Sequence, residues 1–233
     1  MKWSRFFSIF RNKLKLTPRI LISNKNSVMK RTSLALILAC LAMAVMAQET
    51  IKVKYQGAKP TINDFAWSYL SVAALDDDGC INEADHAFKQ AWVKQRNGKK
   101  LDKGETLTID KSNGYVCFES RHEEHRLKIE MCYWNESDGK HKLVAYNVLS
   151  FRDGNYEPGQ YDGIVFYRYN NATKKMTMCS VPGFNRVYDV EDGATIYFDL
   201  PRTGKDITVN YMNYNTKKVK PKTLKWTGRK FTF

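Results

Sequence analysis

Cys80, Cys117, Cys132 and Cys179 follow an apolar leader, an even number of thiols that suits two disulfides in an oxidising compartment. Val116 and Phe118 alternate with Cys117, and Leu127, Ile129, Met131 and Tyr133 take the opposite parity to Cys132. Both thiols are therefore expected off the core face. A hairpin turning near Glu124 sets Cys117 opposite Cys132 at a separation a disulfide spans, which leaves Cys80 for Cys179. The alternative is four free, partly buried thiols. His122 and His125 enclose Glu123 and Glu124, but their spacing is three where a zinc-binding helix pair needs four, so a charged hairpin turn is the reading. His86, alone on a helix, and His141, in a Lys-rich turn, read as solvent-facing. Asp162, Glu191 and Asp199 are the kind of carboxylates a glycosidase pairs across a cleft, yet nothing in their spacing brings them together. The chain has no glycine-rich phosphate loop, no Gly-x-Ser-x-Gly elbow and no Cys-x-x-Cys.

Two further groups concern binding. Lys217, Lys218, Lys220, Lys222, Lys225, Arg229 and Lys230 follow the last acid, Asp206, with Pro221 among them. Lysine and proline on an edge strand guard against strand addition, and the competing reading is a patch for an anionic glycan or lipid. Aromatics make up 13% of the chain, and Tyr115, Tyr146, Tyr156, Tyr161, Tyr167, Tyr169, Tyr197, Tyr211 and Tyr214 lie in or beside strands. Alternation is expected to leave some facing water, where flat rings with a polar tip suit sugars or a partner chain; the other reading is core filling.

Positioning these groups requires elements. Ile62, Phe65, Ala66, Tyr69, Leu70 and Ala73 have helical spacing over residues 61–73. A second helix starts behind Asn82 as cap, carries Ala84, Phe88, Ala91 and Trp92 on one face, and stops at Gly98 behind Lys94 and Arg96. After Lys103 the period becomes two, and ten strand patterns follow, separated by turns such as Asp138-Gly139 and Asp153-Gly154. No intervening run is long enough for a crossover helix, so the sheet is expected to be antiparallel. The predicted fold is α+β: two N-terminal helices packed on an antiparallel meander of roughly eight to ten strands, barrel-like or split into two sheets.

Charge and the leader set the compartment. The formal charge is +14, but nine basic and no acidic residues precede Gln48, which leaves 29 basic against 24 acidic residues from there on. That is an ordinary surface charge and argues against a nucleic-acid partner. Lys30 and Arg31, the 13 apolar residues Leu34 to Met46 and the small-x-small Val45-Met46-Ala47 form a signal peptide, cleaved near Ala47/Gln48. The apolar run falls short of the roughly 20 residues of a membrane span. Cys40 admits a lipobox reading, but cutting there leaves too short an apolar region. Residues 1–28 read as a start chosen too early, 29–47 as the signal peptide, and 48–233 as one secreted or periplasmic domain.

Residues 74–85 partly resemble the calcium loop of EF-hand and dockerin modules. The resemblance implies Asp76 and Asp78 at the third and fifth loop positions, Gly79 at the sharp turn, Asn82 at the ninth and Asp85 at the last, with Ala74 standing where the first ligand is normally Asp. The competing reading is an acidic helix start, with Asp and Asn side chains binding free backbone amides. From Pro60 onward the chain also resembles uncharacterised secreted and periplasmic proteins of Bacteroidetes, in the stretches Glu130 to Asn135, Asp138 to Ala145 and Leu224 to Phe231. That implies location and no activity. The expected function is a secreted, non-catalytic binding module for a glycan, peptidoglycan or protein partner, with no cofactor unless calcium; an exported hydrolase and a structural envelope protein are the alternatives.

Overall fold

A computed structural model describes residues 50–72, 82–188 and 194–233, all within one compact unit, Glu49–Phe233. The signal-peptide motif and Cys40 lie outside the described residues, as do Asp76, Asp78, Cys80 and Glu191. The first described element is a strand, β1 (Thr50–Lys52); the helices α1 (Ile62–Leu70) and α2 (Glu83–Arg96) follow it. Then come β2 (Glu105–Asp110), β3 (Tyr115–His122), β4 (His125–Asn135), β5 (His141–Arg152), β6 (Asn155–Tyr156), β7 (Gly163–Asn170) and β8 (Lys175–Met178). A 3-10 helix, Phe184–Tyr188, leads to β9 (Ala194–Asp199), β10 (Ile207–Asn213), β11 (Val219–Trp226) and β12 (Phe231–Thr232).

This corrects the predicted α+β class. The described residues are 45% strand and 16% helix, so the protein is mostly β, and its two helices are not N-terminal. Nor do the strands form one meander. They build an eight-stranded sheet, β1-β8-β7-β5-β4-β3-β2 with β6 on β5, and a four-stranded sheet, β12-β11-β10-β9. Pairing of the earliest strand, β1, with β8 (Ile51 opposite Met176) places the segment bearing both helices between the two edges of the large sheet. Periodicity within a strand carries no information about such a long-range pairing.

Each helix begins for a local reason. The Asp64 carboxylate accepts from the Thr61 N–H at 2.7 Å and the Thr61 hydroxyl at 2.8 Å, and Asn82 accepts from the Asp85 N–H at 3.1 Å. Phe65, Tyr69, Phe88 and Trp92 then join Val116, Phe118, Ile129, Met131, Val144 and Tyr146 in one core on the first face of the large sheet. The second face is buried as well. Cys132, Trp134, Leu143, Ala145 and Phe166 form another core with Phe184, Phe198, Val209, Leu224, Trp226 and Phe231 of the small sheet and its approach. Lys142 through Leu149 of β5 are all buried, the run expected of a strand covered on both sides.

The small sheet is fastened at its turns. Trp134 Nε1 donates to the Lys205 carbonyl at 2.9 Å, Ser137 N–H to Gly228 at 2.9 Å, and Phe231 N–H to Pro182 at 2.9 Å. Gly183 lies at φ +82°, and a Cβ there would sit 2.1 Å from the Phe231 carbonyl oxygen. Gly183→Ala is expected to cost about 2 kcal/mol through combined backbone strain and displacement of β12. Urea unfolding checks this, and an unchanged midpoint would refute it.

Candidate functional site

Three places bring polar or aromatic groups together. The first is Asp85, which is 2% exposed on the first turn of α2. Its carboxylate faces the sheet, where the Tyr69 hydroxyl donates to one oxygen at 3.2 Å and the Tyr146 hydroxyl to the other. Burial raises its pKa from 3.8 to about 6, against the opposing pull of the two hydroxyls. Of the residues expected to line a calcium loop, Asn82 thus caps a helix and Asp85 anchors that helix to the core.

The second is Glu130, 1% exposed on β4. Tyr115 hydroxyl donates to Oε1 at 2.7 Å, and Lys128 Nζ lies 3.0 Å from the same oxygen. Oε2 accepts from Asn147 Nδ2 and the Leu200 N–H, each at 3.3 Å. Asn147 Nδ2 also donates to the Phe198 carbonyl at 2.8 Å, and Lys128 reaches Asp199 at 3.0 Å. Phe198 lies in β9, an edge strand of the small sheet, and Leu200 follows its end, so Glu130 and Asn147 satisfy this edge from the face of the neighbouring sheet. Burial disfavours the Lys128 charge, but Glu130 and Asp199 hold its pKa above the ordinary range. Burial, with Glu130 beside it, raises the Tyr115 pKa.

The thiols around this network differ from the prediction. Opposite Cys117 stands Glu130, and opposite Cys132 stands Tyr115, because the β3–β4 hairpin turns between His122 and His125, one residue earlier than the predicted pairing needs. Cys117 and Cys132 are diagonal neighbours, roughly 7–8 Å apart at Cα, beyond ordinary disulfide reach. Cys117, Cys132 and Cys179 are free thiols, and Cys132 is buried in the core between the sheets rather than lying off the core. Burial pushes the Cys117 and Cys179 pKa values up to about 11, so neither is a thiolate nucleophile at neutral pH. Cys80, proposed as the Cys179 partner, lies outside the described residues.

The remaining candidates disperse. His122 and His125 form the exposed last pair of the hairpin, and His86 sits exposed beside Gln90 at 3.4 Å. His141, with Glu136 and Asp138, is the described group with the spacing of metal ligands. Asp138 and His141 hold each other at 2.5 Å, while Glu136 accepts from Arg168 at 2.7 Å and the second His141 nitrogen lies 3.1 Å from the Asn170 amide. Asp162 is buried against Ser150 at 2.6 Å, and Asp199 pairs with Lys128 and Asn210.

The third place is the outer part of the small sheet. Tyr115, Tyr146, Tyr156, Tyr167 and Tyr169 are core residues, because the large sheet is covered on both faces; of the nine singled-out tyrosines only Tyr214 is exposed, at 60%. Phe233 and Tyr188 join it, 53% and 52% exposed. Lys217 Nζ lies 4.2 Å over the Tyr214 ring, while Lys222 Nζ lies 4.9 Å from the Tyr211 ring and 5.9 Å from that of Phe233. Tyr211 pairs with Lys220 and Val209 with Lys222, so one sheet face runs from buried Ile207 and Val209 out to Tyr211 and the lysines. Tyr188 packs edge-on to Phe198, itself opposite Val209, and therefore borders the same face. Sequence reasoning missed Tyr188, which sits outside any alternation, and Phe233, which ends the last strand pattern, Lys230 to Phe233, and shares the parity of Phe231. It also missed Glu130, although Cys132 and Trp134 on the same side of β4 were the signal that this side is buried.

Comparison of the chain with protein-family models, curated proteins and solved structures returns no match.

Proposed function

We propose that the protein is an exported, non-catalytic binding module that holds its ligand on the aromatic and lysine-bearing face of the small sheet. The carrying observation is the exposure of Tyr214, Phe233 and Tyr188 on or beside strands otherwise packed into a core. Rings on a rigid sheet lose little conformational freedom on binding, and they offer a flat apolar surface to a sugar or a partner chain. The buried carboxylates support the same reading, for Asp85, Glu130 and Asp162 each accept from neighbouring groups that fix the fold. The leader supports export.

A glycan and peptidoglycan array, run beside a panel of hydrolase substrates, tests the proposal. Binding without turnover is expected, and Tyr214→Ser with Phe233→Ser is expected to weaken it at least tenfold. Turnover of any panel substrate would favour the exported-hydrolase reading, and binding untouched by both substitutions would move the site elsewhere. No helix among the described residues is long and apolar enough to cross a membrane.

A further inference from the structure

Building on that binding-module reading, we infer that the ligand of this face is an acidic polysaccharide, a chain of pyranose rings bearing carboxylate or sulfate groups. The inference rests on what surrounds the rings. Neutral sugars are held by rings accompanied by carboxylates and amides that bond hydroxyls, whereas here the neighbours of the rings are ammonium groups. From Ile207 to Phe233 the chain carries Lys217, Lys218, Lys220, Lys222, Lys225, Arg229 and Lys230 and no acid. A sugar stacked on Phe233 brings an equatorial anionic substituent to Lys222, and the next anionic group along a polymer meets Lys220 beside Tyr211.

A protein partner fits less well, for two reasons. The centres of protein interfaces are depleted in lysine, and here a lysine stands over each of the exposed rings Tyr214 and Phe233. Strand addition is also discouraged: Val219 to Thr223 of β11 are exposed, but Pro221 offers no N–H in that stretch.

Titration calorimetry of the purified protein with polygalacturonate and chondroitin sulfate, against dextran and xylan as neutral probes, tests the inference. Acidic polymers should bind at least tenfold more tightly than neutral ones, and raising salt from about 50 to about 300 mM should weaken binding about tenfold. Lys220→Gln with Lys222→Gln should lose at least tenfold, and Phe233→Ala about fivefold, with circular dichroism unchanged. Lys99→Gln with Lys100→Gln, exposed residues after α2, should change affinity less than twofold. An equal loss in that control would reduce the effect to general charge and overturn the inference. Tighter binding of xylan or dextran through the same rings would overturn the acidic ligand while leaving a binding module in place. Preference for oligothymidylate or phosphatidylglycerol vesicles would overturn it in favour of nucleic acid or membrane, and binding to none of these probes, with an empty array, would remove both readings.

Discussion

Glu130→Ala is expected to be the most damaging single substitution in the described residues, costing about 3–5 kcal/mol of folding stability. Its carboxylate is the shared acceptor for Tyr115, Lys128, Asn147 and the Leu200 N–H. Removing it leaves one ammonium short of a partner and three buried donors with a lost bond, in a place water does not reach. For a chain of this size the corresponding fall in Tm is about 10 °C or more. Glu130→Gln keeps the volume and one acceptor oxygen, so a smaller loss of about 1–3 kcal/mol is expected. Lys128→Met combined with Glu130→Leu should recover at least half of the alanine loss, because replacing a buried ion pair together costs less than breaking it. Urea unfolding of the three variants decides it. A Glu130→Ala midpoint within error of the parent would show that the network contributes nothing.

Asp85 governs the second large effect, which appears in the pH dependence. Its folded pKa of about 6 lies above the ordinary 3.8. Below about pH 4 both folded and unfolded chains hold the proton, so the shift has no influence. Between about pH 4 and pH 6 the unfolded chain releases the proton while the folded protein keeps it, and stability falls as the pH rises. Above about pH 6 the full penalty remains, about 3 kcal/mol at 1.36 kcal/mol per unit. Asp85→Asn removes this titration while leaving an oxygen and an amide for Tyr69 and Tyr146. The stability of the variant relative to the parent should therefore rise by about 3 kcal/mol from pH 4 to pH 7. Parallel stability curves over that range would refute it.

Both residues show why the protein is less legible from its sequence than its alternation suggests. Glu130 stands between Ile129 and Met131, and a strand of that pattern reads as apolar on one side and wet on the other. The inference fails once a second sheet covers the wet side, because a carboxylate that would have met solvent must then find donors in the protein. Five of the nine surface-candidate tyrosines are core residues for the same kind of reason, Tyr146, Tyr167 and Tyr169 under the helices, Tyr115 between the sheets and Tyr156 against Met212 of the small sheet. A shift of the hairpin by one residue likewise changed the residue opposite Cys117 from Cys132 to Glu130.

Local rules determined what depends on neighbours in the chain: the caps at Thr61 and Asn82, the tight turn at Asp138-Gly139, the change of period after Lys103 and the acid-free, lysine-rich final segment. Each involves groups within a few residues, where geometry follows from side-chain chemistry and backbone preference alone. Tertiary structure alone decided the pairing of β1 with β8, the division of the strands into two sheets, the meeting of Glu130 with Leu200, and the placing of Tyr211 and Phe233 beside Lys222. These contacts join residues far apart in sequence, and their free energy comes from burying both faces of one sheet, a quantity that no single strand's pattern contains.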